Sequence, residues 1–200
     1  PLRMEIEAIA PAAPFAEPWL KQLATHEYRH AVQYGNLYRR FMKGIGWAVG
    51  QQAGLLSSVL VPVWLLEGDA VMAETQMASY GRALQPSFTI EMRAYLSEGK
   101  RKFPLDKWFC GSYKDFMPDH YQFGYQLTAW SRERYGDDIW SRVMEYGARR
   151  PYTILTTKWA LKRYYRTSVD EIARNTLDDL TRFWLSQPLA DNSARILRTP

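Results

Sequence analysis

The chain contains few cysteines and histidines, and it lacks long apolar or basic runs. Cys110 is the single cysteine, so no disulfide can form within the chain. The most apolar stretch, around 55–66, is too short to span a bilayer and contains a proline, so no membrane span is predicted. Basic residues are scattered among acidic ones, in runs no longer than three, so no nucleic-acid partner is expected.

What is present has the composition of an ordinary globular protein. The 200 residues are 46% hydrophobic and 24% charged, with a net charge of +5. This length can bury one hydrophobic core, and the composition excludes a disordered chain, a collagen-like repeat and a simple coiled coil. We therefore expect one domain. Because the chain starts at Pro1 without a signal-peptide pattern, we also expect it to be part of a longer gene product.

Hydrophobic spacing predicts a mainly α fold with little β-structure. Alternation over residues 1–15 predicts one strand, and long helices are expected over 17–42 and 64–80. Residues 44–62 contain four glycines and are expected to form a loop with a short apolar helix. The remaining predicted helices cover 86–97, 105–109, 119–135, 137–147, 153–165 and a last pair that ends near 186. Ser168, with Glu171 three residues later, forms a capping-box pattern at the start of that pair.

The most informative segment is the H-E-x-x-H motif formed by His26, Glu27 and His30. Because a helix is predicted there independently, the two histidines share one helical face and both imidazoles can reach one ion. Zinc favours such nitrogen ligands. Glu27 can take a proton from an attacking water and deliver it to a leaving amine. Arg29, inside the motif, is expected to point outward from the helix.

A catalytic zinc site needs a third protein ligand and an open position. The metzincin extension would place Gly and His third and sixth after His30, but Gln33 and Asn36 stand there, which excludes that subclass. A carboxylate ligand is therefore expected. The next predicted helix offers Glu67, which can face back across a helical hairpin, and Glu74, two turns further on the same face.

Residues 64–70, W-L-L-E-G-D-A, resemble the W-L-x-E-G-x-A pattern of gluzincin peptidases, especially the aminopeptidase-N-like family. In that family a glutamate on the helix after H-E-x-x-H is the third zinc ligand. The resemblance therefore implies Glu67 as that ligand, with Glu74 as the rival. Otherwise, Glu74 or Asp69 could hydrogen-bond the ring nitrogen of a ligand histidine that does not bind the metal. The linker is longer than is usual in the family, which implies a loop insertion at about 38–60.

A third element resembles the P-Y-x-x-G segment of the same family, whose tyrosine stabilises the oxyanion of the tetrahedral intermediate. Tyr121 and Gly124 match its tyrosine and glycine. His120 precedes the tyrosine, and in thermolysin-like gluzincins a histidine performs this role. The resemblance thus implies Tyr121 as the oxyanion donor, with His120 as the alternative.

The resemblance also implies a gluzincin-like core in which the amino-terminal sheet is reduced to the strand at 1–15. Residues 16–82 would carry the metal-site helices and 83–200 a helical C-terminal part. The implied activity is hydrolysis of a peptide or protein substrate with Zn²⁺ held by His26, His30 and Glu67. The G-x-M-E-N segment that holds a free amino terminus is absent, so endopeptidase and aminopeptidase activity both stay open.

The sequence leaves two other functions open. The reduced sheet favours a catalytically inactive gluzincin-like domain that binds a peptide or glycan through its aromatic residues, which form 14% of the chain. Glu27 argues against it, because a structural zinc site needs no such acid. A basic surface for anionic polymers is the weaker third idea. Since many gluzincin relatives are exported, a periplasmic or cell-surface location is expected rather than a cytoplasmic one.

Overall fold

The computed structural model describes residues 18–37, 61–78, 80–98, 103–150, 153 and 155–187. Within these ranges every regular element is a helix and no strand occurs, so the prediction of a mainly α fold is confirmed for this part of the chain. The strand predicted over 1–15 and the insertion predicted at 38–60 lie outside the described residues.

The described residues form eight α-helices. They are α1 (Trp19–Leu37), α2 (Val63–Met77), α3 (Pro86–Glu98), α4 (Leu105–Cys110), α5 (His120–Tyr135), α6 (Ile139–Arg149), α7 (Thr156–Tyr165) and α8 (Val169–Ser186). A single 3-10 turn, Arg82–Leu84, follows α2. Where residues are described, the predicted helices agree with these except at their ends: residues 38–42 of the helix predicted over 17–42 lie outside the described residues, and the helix predicted over 64–80 ends at Met77. One prediction is corrected: the pair expected to end near 186 is the single helix α8. Its residues continue the helical period without a glycine or proline, so nothing divides it.

Local chemistry sets several helix ends. The Asp119 side chain accepts a hydrogen bond from the Gln122 amide at 2.8 Å, which caps the amino terminus of α5. Gly136 ends the same helix with a φ of 100°, a conformation that favours glycine. The Ser168 side chain accepts from the Glu171 amide at the start of α8, as the capping-box pattern predicts.

Helix α2 lies at the centre of the fold. Buried residues occur on all of its faces, which distinguishes it from an amphipathic surface helix. It packs most extensively against α5 and then against α1, while α8 covers α3 and α5. Trp64, near the start of α2, packs edge-on against Trp140 with ring centroids 5.4 Å apart. Burial of each such large apolar side chain contributes about 1.5–3 kcal/mol to folding.

Two glycines allow α2 and α5 to approach closely. A Cβ added to Gly68 would lie 2.2 Å from the carbonyl carbon of Gly124, and one added to Gly124 would lie 2.1 Å from the carbonyl oxygen of Trp64. These are backbone atoms, so no side chain can move aside. Because Gly68 follows Glu67 and Gly124 lies one turn after Tyr121, this crossing brings the two predicted site residues together.

None of the described helices combines the length and the apolar character needed to cross a membrane.

Candidate metal centre

Three side chains from α1 and α2 converge on one point. His26 and His30 are one turn apart on α1, and Glu67 lies on the first turns of α2. One ligand atom from each lies within 4.8 Å of the others. This group contains the two histidines and the glutamate that the sequence predicted.

The separations between these atoms fit a tetrahedral zinc site. His26 Nε2 lies 3.1 Å from Glu67 Oε2 and 3.1 Å from His30 Nε2, and His30 Nε2 lies 3.4 Å from Glu67 Oε2. Ligands about 2.0–2.1 Å from a tetrahedral zinc lie about 3.3 Å from one another. His26 is buried, whereas His30 and Glu67 keep some exposure, so one side of the group remains open.

The buried side chain of Gln33 hydrogen-bonds the His30 ring on the side that faces away from the ligand group. His30 Nδ1 lies 2.8 Å from Gln33 Oε1, on the opposite side of the ring from the ligand group. Gln33 Nε2 donates to the Leu66 carbonyl at 3.0 Å and to the Asp69 carboxylate at 2.8 Å. Sequence reasoning noted Gln33 only as a departure from the metzincin pattern. The three-residue step from His30 to Gln33 is visible in the sequence, but the partners Leu66 and Asp69 come from another helix.

Asp69 links this group to Arg29. Arg29 Nε donates to Asp69 Oδ2 at 2.7 Å, and Arg29 Nη2 donates to Oδ1 at 3.0 Å, so the pair is bidentate. The expectation that Arg29 points outward from the helix is therefore wrong, since α2 supplies a buried carboxylate on that side of α1. In these hydrogen bonds Asp69 has no imidazole partner. It is connected to His30 only through Gln33.

Glu74 lies behind His26, outside the three-ligand group. Its fully buried carboxylate is 3.9 Å from His26 Nδ1, too far for a hydrogen bond, and 3.0 Å from Arg82 Nε. Burial raises the pKa of Glu74, although the charges of Arg82 and His26 partly oppose that rise. The structure thus places Glu67, rather than its rival Glu74, beside both imidazoles.

Electrostatics within the group favour an ionised Glu67. Burial alone would raise the pKa of this carboxyl, but the hydrogen bonds and charges of His26 and His30 outweigh it and lower the pKa well below its ordinary range. For His30, burial alone would lower the pKa, yet the hydrogen bonds with Glu67 and Gln33 raise it above its ordinary value. Glu67 therefore carries a negative charge beside the two imidazoles.

Glu27 is half-buried on α1 between the two histidines. Its negative charge contributes to the raised pKa of His30. Burial raises the pKa of Tyr34, and the charges of Glu67 and Glu27 raise it further. The Glu27 carboxylate therefore lies within electrostatic reach of His30 and Tyr34.

Tyr121, on the first turn of α5, faces the ligand group. Its ring centroid lies 6.1 Å from that of His26, and the guanidinium of Arg82 lies 5.5 Å from its ring centroid. Burial raises the pKa of Tyr121, and the charge of Glu67 and a hydrogen bond with that carboxylate raise it further. The phenol therefore stays protonated and able to donate near neutral pH.

His120 has a different environment. Its ring contacts Tyr121, with centroids 4.5 Å apart, and it lines a cavity of about 230 Å³ together with Trp108, Met117 and Asp119. That cavity contains none of the three predicted ligands. Of the two predicted oxyanion donors, Tyr121 is the one with contacts to Glu67 and His26.

The arrangement defines a candidate two-histidine, one-glutamate metal centre with an acid and a phenol beside it. Searches of protein families, of curated proteins and of solved structures find no match to this chain.

Proposed function

We propose that this chain is a zinc-dependent peptidase of the gluzincin type, with Zn²⁺ held by His26, His30 and Glu67. One observation carries the proposal: ligand atoms from two separate helices meet at the mutual distances of a tetrahedral zinc site. The donor set, two neutral imidazoles and one carboxylate, is that of catalytic rather than closed structural zinc sites.

When bound, zinc would lower the pKa of water and polarise the carbonyl of the scissile peptide bond. The residues of the chain would then move the protons. Glu27 would accept a proton from the water that attacks the carbonyl carbon and pass it to the nitrogen of the leaving amine. Tyr121 would donate a hydrogen bond to the carbonyl oxygen as it gains negative charge. A peptide or protein is therefore the proposed substrate.

The metal content of the purified protein is the first measurement. We expect about one zinc per chain by mass spectrometry, and His30→Ala should lose it. His120→Ala is the matched control, because His120 is the one remaining histidine and lies outside the ligand group. Absence of bound metal, even after zinc is added, would contradict the proposed centre.

Glu27→Gln tests the catalytic step separately from metal binding. The variant should keep its zinc and lose hydrolysis of a mixed peptide library, because the amide has no basic oxygen for the proton. Glu133→Gln, an exposed glutamate on α5, should keep both properties.

Retained hydrolysis by Glu27→Gln would exclude Glu27 as the base. A wild-type protein that binds zinc and peptides but never cleaves them would favour the alternative, a catalytically inactive interaction module.

A further inference from the structure

We propose that Gln33 is a positioning residue that fixes the tautomer of His30 and, at the same time, the placement of α2 beside it. The role in metal binding rests on the proposed zinc centre, whereas the tautomer can be tested without any metal. Gln33 is 1% exposed, so its polar atoms depend on protein partners rather than on bulk water.

The surroundings of Gln33 determine which way its amide points. Its Nε2 faces the Leu66 carbonyl oxygen and the Asp69 carboxylate, both of which can only accept hydrogen bonds. A flipped amide would place its oxygen against two acceptors and leave no donor for either. The amide nitrogen must therefore point toward α2, and the amide oxygen toward His30.

This orientation determines the tautomer of His30. Gln33 Oε1 accepts at His30 Nδ1, so Nδ1 must carry the hydrogen. In the neutral ring, Nε2 then keeps its lone pair, and it is Nε2 that faces His26 and Glu67. The imidazole is thus prepared to bind a cation through Nε2 before any cation arrives.

The same amide holds α2 on both sides of Glu67. Leu66 precedes Glu67 and Asp69 follows it by two residues, and Gln33 Nε2 donates to both. Asp69 is itself fixed by its bidentate pair with Arg29. One α1 side chain therefore sets the distance between a histidine ligand and the glutamate ligand.

The tautomer is tested first in the wild-type protein without metal. Nitrogen-15 NMR of the histidine rings at alkaline pH, where imidazoles are neutral, distinguishes the two tautomers. We expect a predominant Nδ1–H form for His30, assigned through its loss in His30→Ala. A predominant Nε2–H form, or an even mixture, would overturn the proposal, and this measurement needs no Gln33 variant to fold.

Two variants separate the two roles. Gln33→Met removes all three hydrogen bonds and should give mixed His30 tautomers and a zinc affinity about 10–100-fold lower, as is typical when a partner of a metal-binding histidine is lost. Gln33→Glu keeps an acceptor for His30 but loses the donors to α2. It should keep the Nδ1–H tautomer and still bind zinc more weakly.

Gln76→Met, an exposed glutamine on α2, is the matched control and should leave both properties unchanged. Equal zinc affinity in Gln33→Met and wild type, with an unchanged tautomer, would overturn the role of Gln33 and leave the peptidase proposal intact. Conversely, zinc binding without any hydrolysis would refute the peptidase proposal and leave the tautomer result standing.

Discussion

At the scale of single residues, the two motif histidines differ in what lies behind them. His30 has a hydrogen-bond partner at Nδ1, whereas His26 Nδ1 is buried without one and faces Glu74 at 3.9 Å. Because Nδ1 has no other polar partner in these contacts, Glu74 is the group that can orient the His26 ring. Glu74 in turn is paired with Arg82, whose guanidinium also lies near Tyr121.

Tyr121→Phe tests the proposed oxyanion donor. We expect kcat to fall about 10²–10³-fold with little change in KM, because the hydrogen bond strengthens only as negative charge develops on the substrate oxygen. Peptide hydrolysis under saturating zinc measures both constants. Tyr125→Phe, the same change one turn later on α5, should leave them unaltered. An unchanged rate in Tyr121→Phe combined with a loss in His120→Ala would assign the role to the histidine.

Arg82→Ala should destabilise the protein in a pH-dependent way. Loss of one partner from a fully buried ion pair costs about 3–5 kcal/mol, and we expect roughly 1–3 kcal/mol here because Arg82 remains partly exposed. Burial raises the folded-state pKa of Glu74, so the folded state binds this proton more tightly than the unfolded chain does. The contribution of Glu74 to the free energy of unfolding is therefore present at acid pH, and it is lost as the pH rises through the raised folded-state pKa.

Arg82 opposes that loss by lowering the pKa of Glu74, so the penalty of Arg82→Ala should grow with rising pH. Urea unfolding at several pH values measures it. Arg149→Ala breaks an exposed pair with Glu145 and should cost less than about 0.5 kcal/mol at every pH. A pH-independent penalty in Arg82→Ala would show that Glu74 does not carry the effect.

At the scale of helices, the crossing of α2 over α5 determines where Tyr121 lies. Both glycines at the crossing touch backbone atoms of the opposite helix, and the neighbouring positions carry Glu67 and, one turn away, Tyr121. An added methyl group at the crossing must separate the helices, because close-packed backbones cannot rearrange locally.

Gly124→Ala is therefore expected to destabilise the protein by about 1–3 kcal/mol and to lower kcat, through overpacking against Trp64. Chemical unfolding and peptide hydrolysis measure the two effects. Gly35→Ala on α1 is a matched control, since nothing lies within 4 Å of its added Cβ. There, alanine should be neutral or should stabilise the helix by up to about 1 kcal/mol. Equal effects of both substitutions would contradict the crossing argument.

At the scale of the whole molecule, metal binding should be linked to folding stability. The proposed ligands come from α1 and α2, so the unfolded chain lacks the preformed site. At a zinc concentration 100 times Kd, the folded state should gain about 2.7 kcal/mol. For a protein of this size, that raises Tm by about 5–10 °C.

Thermal unfolding with added zinc, and then with a chelator, measures this linkage. The rise should disappear in His26→Ala and persist in His120→Ala. A zinc-induced rise of equal size in His26→Ala would show that the metal binds elsewhere.

Features that depend on local spacing follow from the sequence alone. The four-residue step from His26 to His30 places both on one face of any α-helix, and capping residues such as Asp119 and Ser168 begin helices where they were expected. These features require only the helical period and hydrogen bonds between near neighbours. The same reasoning named Glu67 as one of two acids on the next helix.

Which acid and which α5 side chain lie beside the histidines depends instead on how the helices pack. Glu67 and Glu74 share one helix, so their distances from α1 depend on how the helices cross, which the Gly68–Gly124 contact and the surrounding core determine. Gln33 illustrates the same limit: its position on α1 follows from the sequence, but its partners Leu66 and Asp69 come from α2. A helical period specifies a face, and packing between helices specifies what that face meets.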